Sequence, residues 1–225
     1  NLTREQIDVL GVEQIDMPFL EISHSAKKGT VVGSIDIQKL SSHDKPEASI
    51  LLGTIPKAHR GIIFVDEINR LADTSPEIVD LLLDVMGTKP GRIQIEESGF
   101  PVLEMAIQVS VWAASNPDEE PGPLEDIRRQ LSDRFDFTVK VERPTNPLII
   151  KKIISNNPTC EDENLVKNKM MQFTEAQKTI TLYEPTEDIK DILSSMYVDF
   201  GLESLRCIEA CLLGIKIRSA LLKQR

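Results

Sequence analysis

Residues 61–69 decide the fold prediction; they read Gly61-Ile62-Ile63-Phe64-Val65-Asp66-Glu67-Ile68-Asn69. Four consecutive apolar residues lead directly into two acids. An uninterrupted apolar run of this kind is typical of a strand that is buried on both faces of a parallel sheet. Open α/β folds bind their ligands at the edge formed by the carboxyl ends of such strands. The stretch therefore predicts a central strand that delivers Asp66 and Glu67 to a ligand-binding edge.

The two acids suit the chemistry of a nucleotide triphosphatase. Asp66 would hold the water shell of a Mg²⁺ ion, and Glu67 would orient or deprotonate the attacking water. The plainer interpretation is a buried strand that ends in a turn with two solvated acids. This stretch alone leaves both interpretations open, and the rest of the chain has to separate them.

Composition narrows the class of protein. The 225 residues are 40% hydrophobic and 28% charged, with a formal net charge of −10. Because phosphate backbones are bound by basic surfaces, this charge argues against broad contact with nucleic acid. No apolar stretch approaches the length of a membrane span, and the three cysteines suggest no disulfide framework. We therefore expect a cytoplasmic protein without a transmembrane segment.

The periodicity of the chain predicts an α/β core up to about residue 143 and a helical domain after it. Residues 1–30 look like an irregular entry, with His24 and His43 as surface residues. The further elements expected in the core are a strand or turn at 30–37, a helix at 47–55, a helix from Ser75 to Gly87, a hairpin of 92–96 with 100–107, a strand at 109–115, a helix at 124–131 and a strand at 137–141. Those expected in the second domain are helices at 148–154, 160–178, 186–197 and 202–222.

Three further polar residues stand at the ends of predicted strands and helices, as Asp66 and Glu67 do. Asn116 follows the second apolar strand, Arg134 precedes the third, and Arg206 stands near the start of the last helix. In a ring-forming ATPase an asparagine at a strand tip can bind the attacking water or the γ-phosphate. An arginine from a neighbouring subunit can neutralise charge in the transition state, and an arginine from a helical lid can sense the γ-phosphate and couple lid closure to hydrolysis. Taken singly, each has a plainer role as a turn residue, an ion-pair partner or a solvated helix residue.

The two acids, the asparagine and the two arginines follow one another in an order that resembles the AAA+ superfamily. Within it, the sequence resembles the ATPase (I) subunit family of magnesium chelatase. The segments that carry the resemblance are VVGSIDIQKL (31–40), AHRGIIFVDEINRL (58–71), EIVDLLLDV (77–85), ASNP (114–117), RRQLSDRF (128–135) and LESLRCIEACLLGIKIRSALL (202–222). The resemblance implies a P-loop NTPase core with a parallel sheet, a hairpin insertion and a C-terminal all-helical lid. The implied domains are 1–143 for the AAA+ core and 144–225 for the lid.

The resemblance also implies site residues and cofactors. ATP and Mg²⁺ are the expected cofactors. Asp66 and Glu67 correspond to the Walker B acids, with Asp66 holding Mg²⁺ through water and Glu67 catalytic. Asn116 corresponds to sensor 1, Arg134 to the arginine finger and Arg206 to sensor 2. A homo-oligomeric ring would set Arg134 of one subunit against the nucleotide of the next.

The family further implies partners and a task. These are a second AAA+ subunit with an integrin-like metal-binding domain and a porphyrin-binding subunit, and the task is ATP-driven insertion of Mg²⁺ into protoporphyrin. In a plant or alga the location would be the plastid stroma. The sequence departs from the family pattern in lacking the phosphate-binding loop. Residues 1–225 contain no G-x-x-x-x-G-K-[ST] segment, and we expect this loop upstream.

Three alternatives remain open at this point. The first is a non-catalytic scaffold subunit that keeps the AAA+ fold without the phosphate loop; finding no such loop in the upstream coding sequence would favour it. The second is a MoxR-type chaperone ATPase, since related proteins of this clade serve other remodelling tasks. The third is a DNA-remodelling relative that shares the hairpin; the net charge and the acidic hairpin tip, Glu96-Glu97-Ser98, disfavour it.

Overall fold

A computed structural model describes residues 3, 9–11, 15–36, 50–87, 90–96, 102–155 and 163–223. The chain divides into two compact units, Asn1–Arg134 and Phe135–Arg225. His43, residues 47–49 of one predicted helix, the predicted hairpin turn at 97–99 and the first residues of the helix predicted at 160–178 lie outside the described residues. The functional division into 1–143 and 144–225 stays a prediction.

The first unit alternates strands with short helices. Its elements are β1 (Phe19–Ile22), α1 (Lys28–Val32), β2 (Gly33–Ile35), β3 (Ile50–Leu52), α2 (Thr54–Lys57), β4 (Ile62–Val65), α3 (Ile68–Thr74), α4 (Pro76–Gly87), β5 (Gly91–Ile95), β6 (Leu103–Ile107), β7 (Ser110–Ala113) and α5 (Leu124–Ser132). β1, β4 and β7 form a three-stranded parallel sheet in the order β1-β4-β7. The predicted α/β class with a parallel sheet is therefore confirmed.

The central strand β4 is buried as the sequence predicts. Ile63 and Val65 are both 0% exposed, and β4 has a parallel neighbour on each side. Gly61 is required just before the strand because a Cβ there would collide with the backbone of Pro18. This close approach accompanies the hydrogen bond that Ile62 N donates to Pro18 O, at 2.8 Å, where β1 and β4 begin to run together.

The two faces of the parallel sheet differ in burial. On one face lie Ile22, Ile63 and Val65, all buried. On the other, Phe19 of β1 and Trp112 of β7 are each 55% exposed, and Phe64 of the intervening strand β4 pairs in register with Trp112. The Phe19 ring centroid is 6.1 Å from that of Phe64 and 6.4 Å from that of Trp112. The more exposed face of the sheet thus carries a row of three aromatic residues, one on each strand.

The predicted hairpin is confirmed, and helix α4 runs from Pro76 to Gly87 as expected. β5 and β6 pair antiparallel from Gly91↔Ile107 to Ile95↔Leu103, and Ile93 and Ile95 are buried. β2 and β3 form a second antiparallel pair. A strand at 50–52 corrects the predicted helix over 47–55. Residues 28–32 are helical, where the sequence predicts a strand or turn for the overlapping residues 30–37.

Two further predictions about strands are wrong. Residues 19–22 form β1, although residues 1–30 read as an irregular entry; four residues are too few to show periodicity, and the strand forms because β4 offers it a parallel edge. Residues 137–141 form no strand. Their apolar members are exposed, Val139 by 80% and Val141 by 88%, and none of the sheets in the described residues includes them.

The second unit is helical, which confirms that prediction within the described residues. Its elements are α6 (Pro147–Ile154), α7 (Glu163–Thr179), a 3₁₀ turn (Ile180–Leu182), α8 (Glu187–Asp199) and α9 (Arg206–Leu222). Asn146 caps α6 by accepting a hydrogen bond from Leu148 N, at 2.9 Å. Across the described parts of the chain, none of the helices has both the length and the apolar character that crossing a bilayer requires.

Candidate functional site

The turn after β4 carries the two predicted Walker B acids. Asp66 is exposed and follows the buried Val65 directly. Its Oδ1 accepts a hydrogen bond from Glu67 N, at 3.0 Å. Glu67 adopts a left-handed backbone conformation, with φ 49° and ψ 51°, which is uncommon for a residue with a side chain. The sharp turn ends the strand and starts α3 within two residues, so both carboxylates stay at the sheet edge.

The Glu67 carboxylate has two basic neighbours. Arg70, one turn further along α3, donates from Nη1 to Glu67 Oε2 at 2.9 Å. His24, just beyond the end of β1, places Nδ1 at 3.7 Å from the same oxygen. All three side chains are between 39% and 46% exposed, so water screens these interactions. The Glu67 carboxylate is therefore oriented by its neighbours but remains open to solvent.

The carboxyl end of β7 lies directly beside this turn. Ile68 N donates to Ala114 O at 3.0 Å, and Ala114 N donates to Val65 O at 2.9 Å. Asn116 follows two residues later and is exposed; its side-chain Oδ1 lies 3.4 Å from Asp118 N. The structure thus brings Asp66, Glu67 and Asn116 to neighbouring strand ends at one edge of the sheet. Their catalytic roles stay predictions.

Asn69 connects the two strand ends. Its side chain is 3% exposed, and its Nδ2 donates to Asn116 O at 3.2 Å and to Gly122 O at 3.1 Å. The first helical residues after the Asp66–Glu67 turn are therefore attached to both ends of the loop that follows β7.

The two predicted arginines lie on other elements. Arg134 follows α5 and is half-buried; its guanidinium lies over Gly87 at the end of α4, where a Cβ would stand 2.8 Å from Nη1. Arg206 is the first residue of α9, in the second unit, and its backbone N donates to Ser204 Oγ at 3.2 Å. The roles of Arg134 as arginine finger and Arg206 as sensor 2 stay predictions.

The donor set at the sheet edge fits a magnesium ion better than a structural metal. Among the described residues no group of three His, Cys, Asp or Glu side chains is placed to hold a metal. Mg²⁺ uses one or two carboxylates and completes its shell with water and phosphate oxygens. The exposed Asp66 carboxylate meets that smaller requirement.

Three residues of this site were missed from the sequence: His24, Asn69 and Arg70. His24 is a surface residue as predicted, but its position beside Glu67 depends on β1, which the sequence does not predict. Asn69 and Arg70 follow the two acids directly, and helical spacing already sets Arg70 three residues from Glu67. That spacing was the available signal for Arg70, whereas the partners of Asn69 are 47 and 53 residues away.

Comparison with known proteins finds no matching family model but several similar proteins. The chain is 27% identical to the magnesium-chelatase 38 kDa subunit of Acidiphilium rubrum over 88% of this chain and 56% of the relative. It is 28% identical to the magnesium-chelatase subunit ChlI of Euglena gracilis, over 84% of this chain and 55% of the relative. It is 35% identical to the 38 kDa subunit of Rhodobacter capsulatus, over 64% of this chain and 37% of the relative.

The chain spans about half the length of the curated relatives with which it aligns over most of its residues. Among solved structures, it is similar to a cryo-EM-based model of the complex between subunits BchI and BchD of magnesium chelatase, with 20% identity and a TM-score of 0.46 over 92% of this chain and 70% of that one. The sequence matches, rather than this superposition, carry the comparison. They confirm the resemblance of this chain to subunits of magnesium chelatase.

Proposed function

We propose that this protein is the ATP-hydrolysing AAA+ motor subunit of a magnesium-chelatase-type enzyme. The observation that supports the proposal best is the junction of two strand ends. Asp66 and Glu67 close β4, Asn116 follows β7, and Ile68 N joins the two ends through Ala114 O at 3.0 Å. An acid pair beside an amide at one sheet edge is suited to water attack on a phosphoryl group, because the acids can hold Mg²⁺ and activate water while the amide donates a hydrogen bond.

In this proposal each residue has a separate task. Asp66 holds the water shell of Mg²⁺, and the ion, when bound, neutralises charge on the phosphates. Glu67 orients the attacking water and accepts its proton. Asn116 donates a side-chain hydrogen bond to that water or to the γ-phosphate. In a homo-oligomeric ring, Arg134 reaches the nucleotide of the next subunit, and Arg206 senses the γ-phosphate from the helical lid.

The proposed task of the whole enzyme is insertion of Mg²⁺ into protoporphyrin or a related metal-insertion step. It follows from the names of the relatives, which are magnesium-chelatase subunits. The proposed partners are a second AAA+ subunit with an integrin-like metal-binding domain and a porphyrin-binding subunit. The proposed location is the cytoplasm or, in an organism with plastids, the stroma.

The proposal is tested on the full-length protein, since residues 1–225 contain no phosphate loop. We expect Glu67→Gln to lower ATP turnover by a factor on the order of 10² or more while ATP binding persists, because the amide no longer accepts the proton. Turnover is measured by phosphate release and binding by calorimetry. The matched control is Glu77→Gln, an exposed glutamate on α4, and it should keep wild-type turnover.

A second candidate is a non-catalytic scaffold subunit that keeps the fold without a phosphate loop, a segment that residues 1–225 do not contain. The same experiment separates the two functions. A full-length protein that neither binds nor hydrolyses ATP supports the scaffold. A protein that hydrolyses ATP equally well with Glu67→Gln contradicts the assigned role of Glu67.

A further inference from the structure

Asn69 is an unusual residue for its position. Among the described residues, the buried polar or charged side chains are Asn69, at 3% exposed, and Ser75, at 9%. A buried amide is costly unless its hydrogen-bonding groups find partners. Nδ2 of Asn69 has two N–H groups and two carbonyl acceptors, Asn116 O at 3.2 Å and Gly122 O at 3.1 Å. Both N–H groups of Nδ2 therefore donate to main-chain carbonyl groups in a distant segment of the chain.

The two acceptors stand at the two ends of one loop. Within it, Glu119 N donates to Asn116 O at 3.3 Å, and Gly122 N donates to Glu119 O at 2.8 Å. The loop thus consists of two successive turns. The buried side chain of Asn69 donates hydrogen bonds to the first and last carbonyl groups of the loop, and we call this pair of hydrogen bonds the fastening of the loop. Only a short side chain with two N–H groups on one atom can do this. An aspartate would place a carboxylate against two carbonyl oxygens, and an alanine would leave both without this donor.

The position of Asn69 in α3 gives this fastening a consequence for the site. Asn69 lies two residues after Glu67, and one of its two acceptors is the carbonyl of Asn116 itself. Since Ile68 N is bonded to Ala114 O, the turn after β4 is attached to the end of β7 at two successive residues. We propose that Asn69 is a positioning residue that sets the spacing between the Asp66–Glu67 turn and the Asn116 tip. Its effect on hydrolysis rests on the proposed function, whereas the fastening of the loop does not.

The fastening is tested by amide hydrogen exchange of the full-length protein. We expect Asn69→Ala to accelerate exchange in residues 117–122 by at least about tenfold and to leave β4 unchanged, because the loop loses its internal anchor. Ser75→Ala is the matched control: Ser75 is the other buried polar residue and lies at the opposite end of α3. It should not change exchange in residues 117–122. Unchanged exchange in this loop with Asn69→Ala overturns the inference.

A second measurement needs no variant, so it decides the matter even if Asn69→Ala does not fold. In full-length protein labelled with ¹⁵N-asparagine, the side-chain N–H protons of Asn69 should exchange at least about tenfold more slowly than those of the exposed Asn146. Equal exchange rates would show that the amide is not held between the two carbonyls, which contradicts the inference.

The catalytic consequence is tested by kinetics. We expect kcat for ATP to fall by a factor on the order of 10 to 10² with Asn69→Ala, with KM unchanged within about twofold, because the water-orienting groups lose their spacing. Asn69→Ser, which keeps one donor, should lie between this variant and wild type, and Ser75→Ala should keep wild-type kcat. An unchanged kcat with Asn69→Ala refutes the positioning role. A wild-type protein without ATP turnover refutes the proposed function instead, while the exchange measurements still decide the fastening.

Discussion

Residues 62–65 and residues 137–141 are both predicted as strands and differ completely in structure. Both are rich in β-branched and aromatic residues and both are followed by an acid, although the second alternates its apolar residues with Thr138 and Lys140. The first is β4, with Ile63 and Val65 fully buried and a parallel neighbour on each side. The second is irregular, with Val139 and Val141 at least 80% exposed. Strand propensity alone therefore does not decide which of the two becomes a strand.

The difference shows that a segment with strand propensity becomes a strand only when another segment pairs with it. β4 finds β1 on one side and β7 on the other, and each pairing runs over four residues. Residues 137–141 join no sheet within the described chain. Phe137 instead lies near Gly214 in its own unit, where a Cβ on the glycine would stand 3.4 Å from the Phe137 ring. Three measurements test this contrast.

The largest expected effect is on hydrogen exchange. In the 225-residue chain, backbone N–H groups of residues 62–65 should exchange at least about a thousandfold more slowly than those of 138–141. The reason is that β4 opens only with the core, whereas residues 138–141 lack ladder hydrogen bonds. Mass spectrometry of peptides from the two segments measures the ratio. Similar protection of both segments would mean that 138–141 pair with another strand.

The next effect is on stability. Ile63→Ala should lower the free energy of unfolding by about 2–5 kcal/mol, because it removes a side chain that is 0% exposed and leaves a cavity. Urea denaturation measures the change. The milder Ile63→Val serves as the control, with an expected cost of about 0.5–1.5 kcal/mol. A loss below about 0.5 kcal/mol for the alanine variant would contradict the burial of β4.

The smallest effect is expected in the unpaired segment. Val139→Ser should change the free energy of unfolding by less than about 0.5 kcal/mol, since the side chain is 80% exposed. The same denaturation experiment applies, with the wild-type chain as reference. A loss comparable to that of Ile63→Ala would place Val139 in a core and remove the contrast between the two segments.

The sequence predicted those parts of the fold whose signals are local. Helix α4 was found from Ser75, Pro76 and Gly87 because capping and helix-ending residues act over a few positions. The hairpin was found from alternation interrupted by a turn. β1 was missed and 137–141 was overpredicted because each depends on whether a distant segment offers an edge, which a single sequence does not display.

The candidate site shows the same division. Asp66, Glu67 and Asn116 were predictable because each follows an apolar strand directly, and the ends of parallel strands meet at one edge. Asn69 was read only as the residue after the acids, since its role depends on the carbonyls of Asn116 and Gly122. His24 depends in turn on β1. Placement that depends on strand ends was predictable from the sequence, and placement that depends on contacts between distant loops was not.

The aromatic row on the more exposed face of the sheet has a practical consequence. Trp112 is the only tryptophan among the 225 residues, and it stands beside Phe19 at a ring-centroid distance of 6.4 Å, 55% exposed to water. Intrinsic fluorescence excited at the red edge of indole absorption therefore comes from this one place. Its emission maximum and its quenching by iodide report directly whether the face is wet or covered. The chain thus carries its own optical probe of the sheet surface.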